Sequence, residues 1–404
     1  MARRLEPFRE YERRVVDAEL DELVPALPAL SLEGPRGVGK TSTARRRSGT
    51  VVCLDDPGVL EVITAQPDRL AIGTPSIVID EWQRYPPAWD VVRRAVDENP
   101  IGGRFILTGS ASPAVAPTHT GAGRVVTLRM RPLTLPERGV DTPVVSLAAL
   151  LVGDRPDVEG ATTITLEDYT VEILAGGFPG IRHSTARAQR AALDGYLDRI
   201  VDADLPELGA KVRDAATAGE TTKPATTTTI PYRDALERLW ILDPLPAWAP
   251  TTDHLARLTF APEHHLADPA LAARLTGVDA GALLRGEGPT TIPRDGTFLG
   301  ALFESLVTLS VRVFAQAAEA RVSHFRTKGA EREVDLISER GDRRILAVEV
   351  KLADAVGDGD VRHLVWLADG IGADLLDAMV VTTGRYAYRR PDGIAVVPLA
   401  LLGA

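Results

Sequence analysis

Apolar and polar positions fall in blocks along the first third of the chain. LPALSL (27–32), TVVCLDD (50–56), SIVIDE (76–81) and GRFILTGS (103–110) are short apolar runs with little internal alternation. WDVVRRAVDEN (89–99) carries its apolar positions at helical spacing. Continuous apolar strands separated by helices predict a parallel sheet covered on both faces. VVTLRM (125–130) predicts one more strand.

Further on, the pattern changes. DYTVEILAGGFPG (168–180), RAQRAALDGYLDRIVDADL (187–205), YRDALERLWIL (232–242) and HLADPALAARLTG (265–277) read as helices. The stretch 211–231 is rich in Ala, Thr, Gly and Pro and reads as a loop. FLGALFESLVTLSVRVFAQAAEA (298–320) predicts one long amphipathic helix. VSHFRT, EVDLIS and ILAVEVKLA follow as strands with a turn at Glu339 to Asp342, then a helix around VRHLVWLADG and a strand at DAMVVTTG (377–384). The expected class is α/β in three regions: 1–160, 161–290 and 291–404.

Composition narrows the options. The 404 residues are 45% apolar and 25% charged, with a net charge of −10, an ordinary globular balance. An acidic total excludes a protein wholly coated by nucleic acid but leaves a local basic groove open. Cys53 is the one cysteine, which excludes an intramolecular disulfide and a Cys-rich zinc site and makes a reducing, cytoplasmic setting the expectation. MARRLEPFREYERR has no apolar signal core. No run approaches the ~18 uninterrupted apolar residues of a membrane span, so neither a secretory leader nor a membrane partner is expected. Of 46 basic residues only five are lysines: Lys40, Lys211, Lys223, Lys328 and Lys351.

Two of those lysines sit in patterns that carry chemistry. Gly34-Pro35-Arg36-Gly37-Val38-Gly39-Lys40-Thr41, followed by Ser42, fits G-x-x-x-x-G-K-[ST] in full. Glycines let backbone N–H groups curl around phosphate oxygens, the Lys40 ammonium reaches the β- and γ-phosphates, and the Thr41 hydroxyl suits Mg²⁺. The competing reading is a glycine turn with an accidental lysine. Forty residues on, IVIDE ends an apolar strand in Asp80, suited to hold Mg²⁺, and Glu81, suited to polarise a water. Thr108 and Ser110 end the next strand and suit the γ-phosphate or the lytic water; a simple strand-end turn explains them as well. Arg124, Arg129 and Arg131 are candidates to offset charge on a transferring phosphoryl group, against surface arginines in an Arg-rich chain. Such an arginine acts within one chain or between copies in a homo-oligomer, and the sequence leaves both open.

The second pattern is Glu333-Val334-Asp335 followed by Glu349-Val350-Lys351. Strand alternation puts Glu349 and Lys351 on one face. Asp335 joins them if the strands form a hairpin, and Glu304 on the preceding helix offers a fourth group. Clustered carboxylates suit Mg²⁺ or Mn²⁺, and Lys351 suits a scissile phosphate or its attacking water. His324, Arg326 and Lys328 are nearby phosphate-contact candidates, whereas His363 reads as a structural histidine. The alternative for the whole set is a salt-bridged strand face.

GPRGVGKTS, LDDP, IVIDEWQRYP, FILTGSAS and GAGR, in that order, resemble the AAA-superfamily prokaryotic ATPases often called simply "ATP-binding protein". GGFPG, YLDRIVDADL, HHLADPALAARL, GALFESLV, EVDLI and AVEVKLA continue the resemblance over nearly the whole chain. It implies a P-loop AAA-type ATPase core, a mostly helical, winged-helix-like middle and a restriction-endonuclease-like α/β end of PD-(D/E)xK type. Lys40, Thr41, Asp80 and Glu81 then fall on the nucleotide site and Ser110 on the sensor position. Glu304, Asp335, Glu349 and Lys351 fall on the nuclease-like core, with Asp335 and Glu349 as metal ligands. The segment after Val212 looks shorter than that family's middle domain, which puts DNA reading by it in doubt. The expected partners are ATP or ADP with Mg²⁺, and DNA or RNA. Two functions fit: an ATPase that controls a metal-dependent nuclease, or a nucleotide-controlled DNA- or protein-binding regulator with an inert nuclease fold.

Overall fold

β-branched and apolar residues without polar interruption make the first strands, since such runs are stable only where both sheet faces are covered. A computed structural model describes residues 11–111, 121–209, 226–249, 261–286, 297–327, 329 and 331–404. Its contacts divide the chain into two compact units, one ending at Met130 and one beginning at Arg131.

In the first unit β1 (Ala29–Glu33), β2 (Thr50–Cys53), β3 (Ile77–Asp80), β4 (Phe105–Gly109) and β5 (Val126–Arg129) form one sheet in the order β2-β3-β4-β1-β5. All its pairings are parallel. The expected strands are therefore present, with the mixed α/β build of a P-loop domain. Helices α1 (Val16–Ala26), α2 (Lys40–Arg45), α3 (Pro57–Ala65) and α4 (Pro87–Glu98) connect or flank them. Helix α4 buries Ala88, Trp89, Val91, Val92, Ala95 and Val96 against Ile77, Ile79, Phe105 and Leu107 of the sheet. Trp82 and Trp89 close this core with ring centroids 4.9 Å apart.

The second unit holds a mixed seven-stranded sheet. From one edge it runs through β10 (Arg321–Arg326), β11 (Glu333–Glu339), β12 (Ile345–Lys351) and β13 (Leu375–Thr382). It continues through β15 (Ala395–Pro398) and β14 (Tyr386–Arg389) to β7 (Gly160–Ala161). Short parallel strands β6 (Val145–Ser146) and β16 (Leu402–Gly403) pair separately, as do antiparallel β8 (Leu242–Leu245) and β9 (Glu263–Leu266). Helix Asp358–Ile371 packs Val361, Leu364 and Leu367 onto Ile345, Ala347, Val380 and Val396. Helix Thr297–Ala317 is long and apolar enough to cross a membrane by length and composition, but most of its apolar window is buried inside the unit. There its Phe303 meets Tyr169 edge to face at 5.5 Å.

Three expected elements differ. Residues 211–225 of the expected loop lie outside the described residues, and 226–231 open a helix, Thr226–Arg238. Burial of Ala235 and Leu239 outweighs the weak helix propensity of its threonines. Within 265–277 only Pro269–Thr276 is helical: Asp268 caps it through Ala270 N–H, proline takes the first turn, and His265 and Leu266 belong to β9. The helix expected over 168–180 ends at Ala175, because Gly176 turns to a φ of 69°.

Candidate nucleotide site and candidate metal centre

The Gly34–Lys40 turn joins β1 to α2 at the carboxyl edge of the sheet, where open parallel sheets bind ligands. Gly37 and Gly39 have φ of 82° and 99°, a region that L side chains rarely enter. A Cβ on Gly34 would lie 2.0 Å from the Met130 carbonyl oxygen, so that position takes no side chain. Val38 is buried, and its carbonyl accepts from Arg14 Nη1 at 2.8 Å. Pro35 is buried under the turn, whereas Arg36 and Ser42 are exposed.

Buried Lys40 donates from Nζ to the Gly34 and Pro35 carbonyls, both at 2.8 Å. Burial pulls its pKa down to about 8, with Arg129 and Arg36 acting in the same sense and Glu81 and Asp80 against it. Thr41 Oγ1 donates to Asp80 Oδ1 at 2.7 Å, and Thr108 Oγ1 donates to the same oxygen. Glu81 has a left-handed backbone, φ 55°, and its Oε2 accepts from Ser110 Oγ at 2.9 Å and from Gln83 Nε2. Gln83 Nε2 also lies 3.1 Å from Ser110 Oγ. The structure thus brings Lys40, Thr41, Asp80, Glu81 and Ser110 to one strand edge. The donor set fits Mg²⁺: a hydroxyl and a carboxylate, both hard oxygen donors, already in contact. The turn fits a polyphosphate, since its glycines leave the backbone open beside a buried ammonium.

The three arginine candidates separate. Arg124, with 46% of its side chain exposed, pairs with Asp97 at 2.9 Å near the last turn of α4. That end leads into β4, at the sheet edge opposite the turn, so Arg124 does not reach the turn of its own chain. Arg131 pairs with Asp243 at 2.8 Å in the second unit. The Arg129 charge is the one felt at Lys40 and Glu33, from the end of β5 level with Glu33. Gln83 went unnoticed in the sequence; its position two residues after Glu81 was the available signal.

The C-terminal acids also gather. Strands β11 and β12 pair antiparallel with Leu336 opposite Val348; one step further along that register sets Asp335 against Glu349. Asp335 Oδ2 accepts from Val350 N–H at 2.7 Å. Lys351 Nζ donates to Glu349 Oε2 at 2.9 Å. The Glu349 side chain is only 4% exposed, and its Oε1 is buried without a hydrogen-bond partner. Burial and the Asp335 charge push the Glu349 carboxyl up to about 8, while Lys351 pulls against them. Burial and the charges of Asp335, Glu263 and Glu333 raise Glu304 to about 7. Crowded carboxylates and an orphaned buried oxygen fit a divalent ion with oxygen ligands.

The neighbouring phosphate-contact candidates have other work. His324 is buried, its Nε2 3.2 Å from the Ala261 carbonyl. Arg326 bonds Glu333 and Glu263. Lys328 lies outside the described residues. His363, read as structural, has Nδ1 2.8 Å from the Glu333 carbonyl and 3.9 Å from Glu349 Oε1, and its Nε2 accepts from Arg362.

Comparison with known proteins bears on the class of the first unit and leaves the second site open. Residues 27–138 match the family model described as AAA domain, which supports an AAA-type, ATP-binding class for the first unit. Residues 299–402 match a domain of unknown function (DUF4143). The chain is 28% identical over 294 residues to "Uncharacterized protein Rv2008c" of Mycobacterium tuberculosis and, to the same extent, to "Uncharacterized protein Mb2031c" of Mycobacterium bovis. Each match covers 66% of this chain and 60% of the relative.

Proposed function

We propose that this chain hydrolyses ATP with Mg²⁺ at the Gly34–Thr41 turn, and that the nucleotide state controls a metal-dependent site for nucleic acid at Asp335, Glu349 and Lys351. The convergence of Lys40, the Thr41–Asp80–Thr108 contact and the Glu81–Ser110–Gln83 contact carries the first part. Mg²⁺, when bound, neutralises phosphate charge. Thr41 and Asp80 would hold it. Lys40 trades its two backbone carbonyls for phosphate oxygens. Glu81 orients the water and accepts its proton, held in place by Ser110 and Gln83. Arg129 takes the charge-offsetting role for which Arg124 is badly situated within one chain.

In the second unit Asp335 and Glu349 would hold Mg²⁺ or Mn²⁺, and Lys351 would offset charge on a scissile phosphate of DNA or RNA. One observation favours the binding-only reading: Lys351 is already neutralised by Glu349, as in a salt-bridged strand face. Phosphate release from ATP and cleavage of plasmid or single-stranded DNA, each with Mg²⁺ or Mn²⁺, test both parts. Glu81→Gln should cut phosphate release at least about a hundredfold, the low end for loss of a general base; unchanged release sinks the hydrolysis reading. Lys351→Ala should abolish cleavage. If wild type and Lys351→Ala cleave equally little while the chain still binds DNA in a salt-dependent way, the regulator reading stands instead.

A further inference from the structure

Beside the Asp335–Glu349 pair lies a cluster that the sequence pattern hid. Glu263 and His265 are two residues apart on β9 and therefore share a face. Glu304, from the helix Thr297–Ala317, meets them: one ligand atom from each of the three lies within 4.8 Å of the others. His265 Nδ1 is 3.2 Å from the hydroxyl of Ser305, the next residue on that helix. His265 Nε2 is buried and has no hydrogen-bond partner. A hydroxyl against one ring nitrogen and no partner on the other is how ligating histidines are held.

We propose that Glu263, His265 and Glu304 form a second divalent-metal site, distinct from the Asp335–Glu349 pair and selective for a transition ion. The donor set is mixed, one imidazole nitrogen and two carboxylates, which favours Zn²⁺, Co²⁺ or Mn²⁺ over Mg²⁺. Glu304 feels the charges of Glu263, Asp335 and Glu333, a crowding that a divalent ion relieves. Arg326 Nη2 reaches Glu263 Oε1 at 3.0 Å, and His324 Nδ1 lies 3.7 Å from it. Arg326 is the competing explanation, a guanidinium that already serves the acids.

The site stands or falls independently of ATP hydrolysis and DNA cleavage, because its test reads metal binding alone. The full chain is stripped of metal and titrated with Co²⁺, following heat and visible absorption. Glu263→Gln and His265→Gln should each weaken Co²⁺ at one site by about tenfold or more, whereas Asp335→Asn should leave that site measurable. Unchanged affinity in both variants, or loss in Asp335→Asn alone, overturns the proposal in favour of Arg326 as the cluster's cation. Circular dichroism checks that the variants are folded. If His265→Gln is not, Glu263→Gln decides alone, since its side chain is partly exposed on the same strand.

Discussion

Lys40 is a buried ammonium without a carboxylate partner in direct contact; two loop carbonyls hold it. Its depressed pKa, about 8, makes nucleotide binding depend on pH. The charged form attracts phosphate, and bound phosphate raises the lysine pKa further, so binding takes up a proton above about pH 8. Mg-free ATP affinity should therefore be flat below about pH 8 and fall as pH rises above it, by up to tenfold per unit. Calorimetric titration from pH 7 to 9.5 checks this; a flat profile would mean that Lys40 is not the group that meets the phosphates. Two lysines, Lys40 and Lys351, stand where a compact ammonium suits the chemistry better than the planar fork of arginine, in a chain where arginine is otherwise the rule.

Among elements, the GGFPG and ADPAL motifs prove to be architecture. Asp268 is fully buried and accepts from Gly177 N–H at 2.6 Å and Ala270 N–H at 2.9 Å. Arg138, its side chain fully buried, lies 4.0 Å from Asp268 and donates to Glu172 Oε2 at 3.2 Å and to the Leu133 carbonyl at 2.8 Å. A Cβ on Gly177 would sit 2.6 Å from that same carbonyl, so the double glycine exists to let this knot close. Asp268→Ala removes the acceptor of two N–H groups and leaves Arg138 with Glu172 as its remaining carboxylate. It should cost about 3–5 kcal/mol, read as a lower urea midpoint. A loss under 1 kcal/mol would show that water replaces the carboxylate.

Across the whole molecule, ligand binding and stability are linked. ATP binds only the folded first unit on the proposed reading. At a hundred times its Kd it should stabilise that unit by about 2.7 kcal/mol, seen as a rise in the melting temperature. Lys40→Ala should melt like the ligand-free wild type and show no rise; an equal ATP shift in that variant contradicts the assignment. The match to the AAA domain covers residues 27–138, while the contact boundary falls after Met130.

Much of the first unit was legible because its signals are local. Five apolar runs became five strands, and the glycine spacing located the turn, since neighbouring residues alone decide whether a backbone can wrap a phosphate. The hairpin that brings Asp335 to Glu349 was legible too, because period-two alternation and one turn fix it. Tertiary structure decided the rest. Arg124 and Arg129 look alike as letters, and only strand direction sends one to Asp97 and leaves the other beside Lys40. Gln83 meets Ser110 only because the residue just past β4 stands next to Glu81. The sequence pattern puts His265 in a helix, but pairing with β8 makes it part of a strand facing Glu304, thirty-nine residues away. Chain-distant contacts leave no periodic trace, so only the packed fold reveals them.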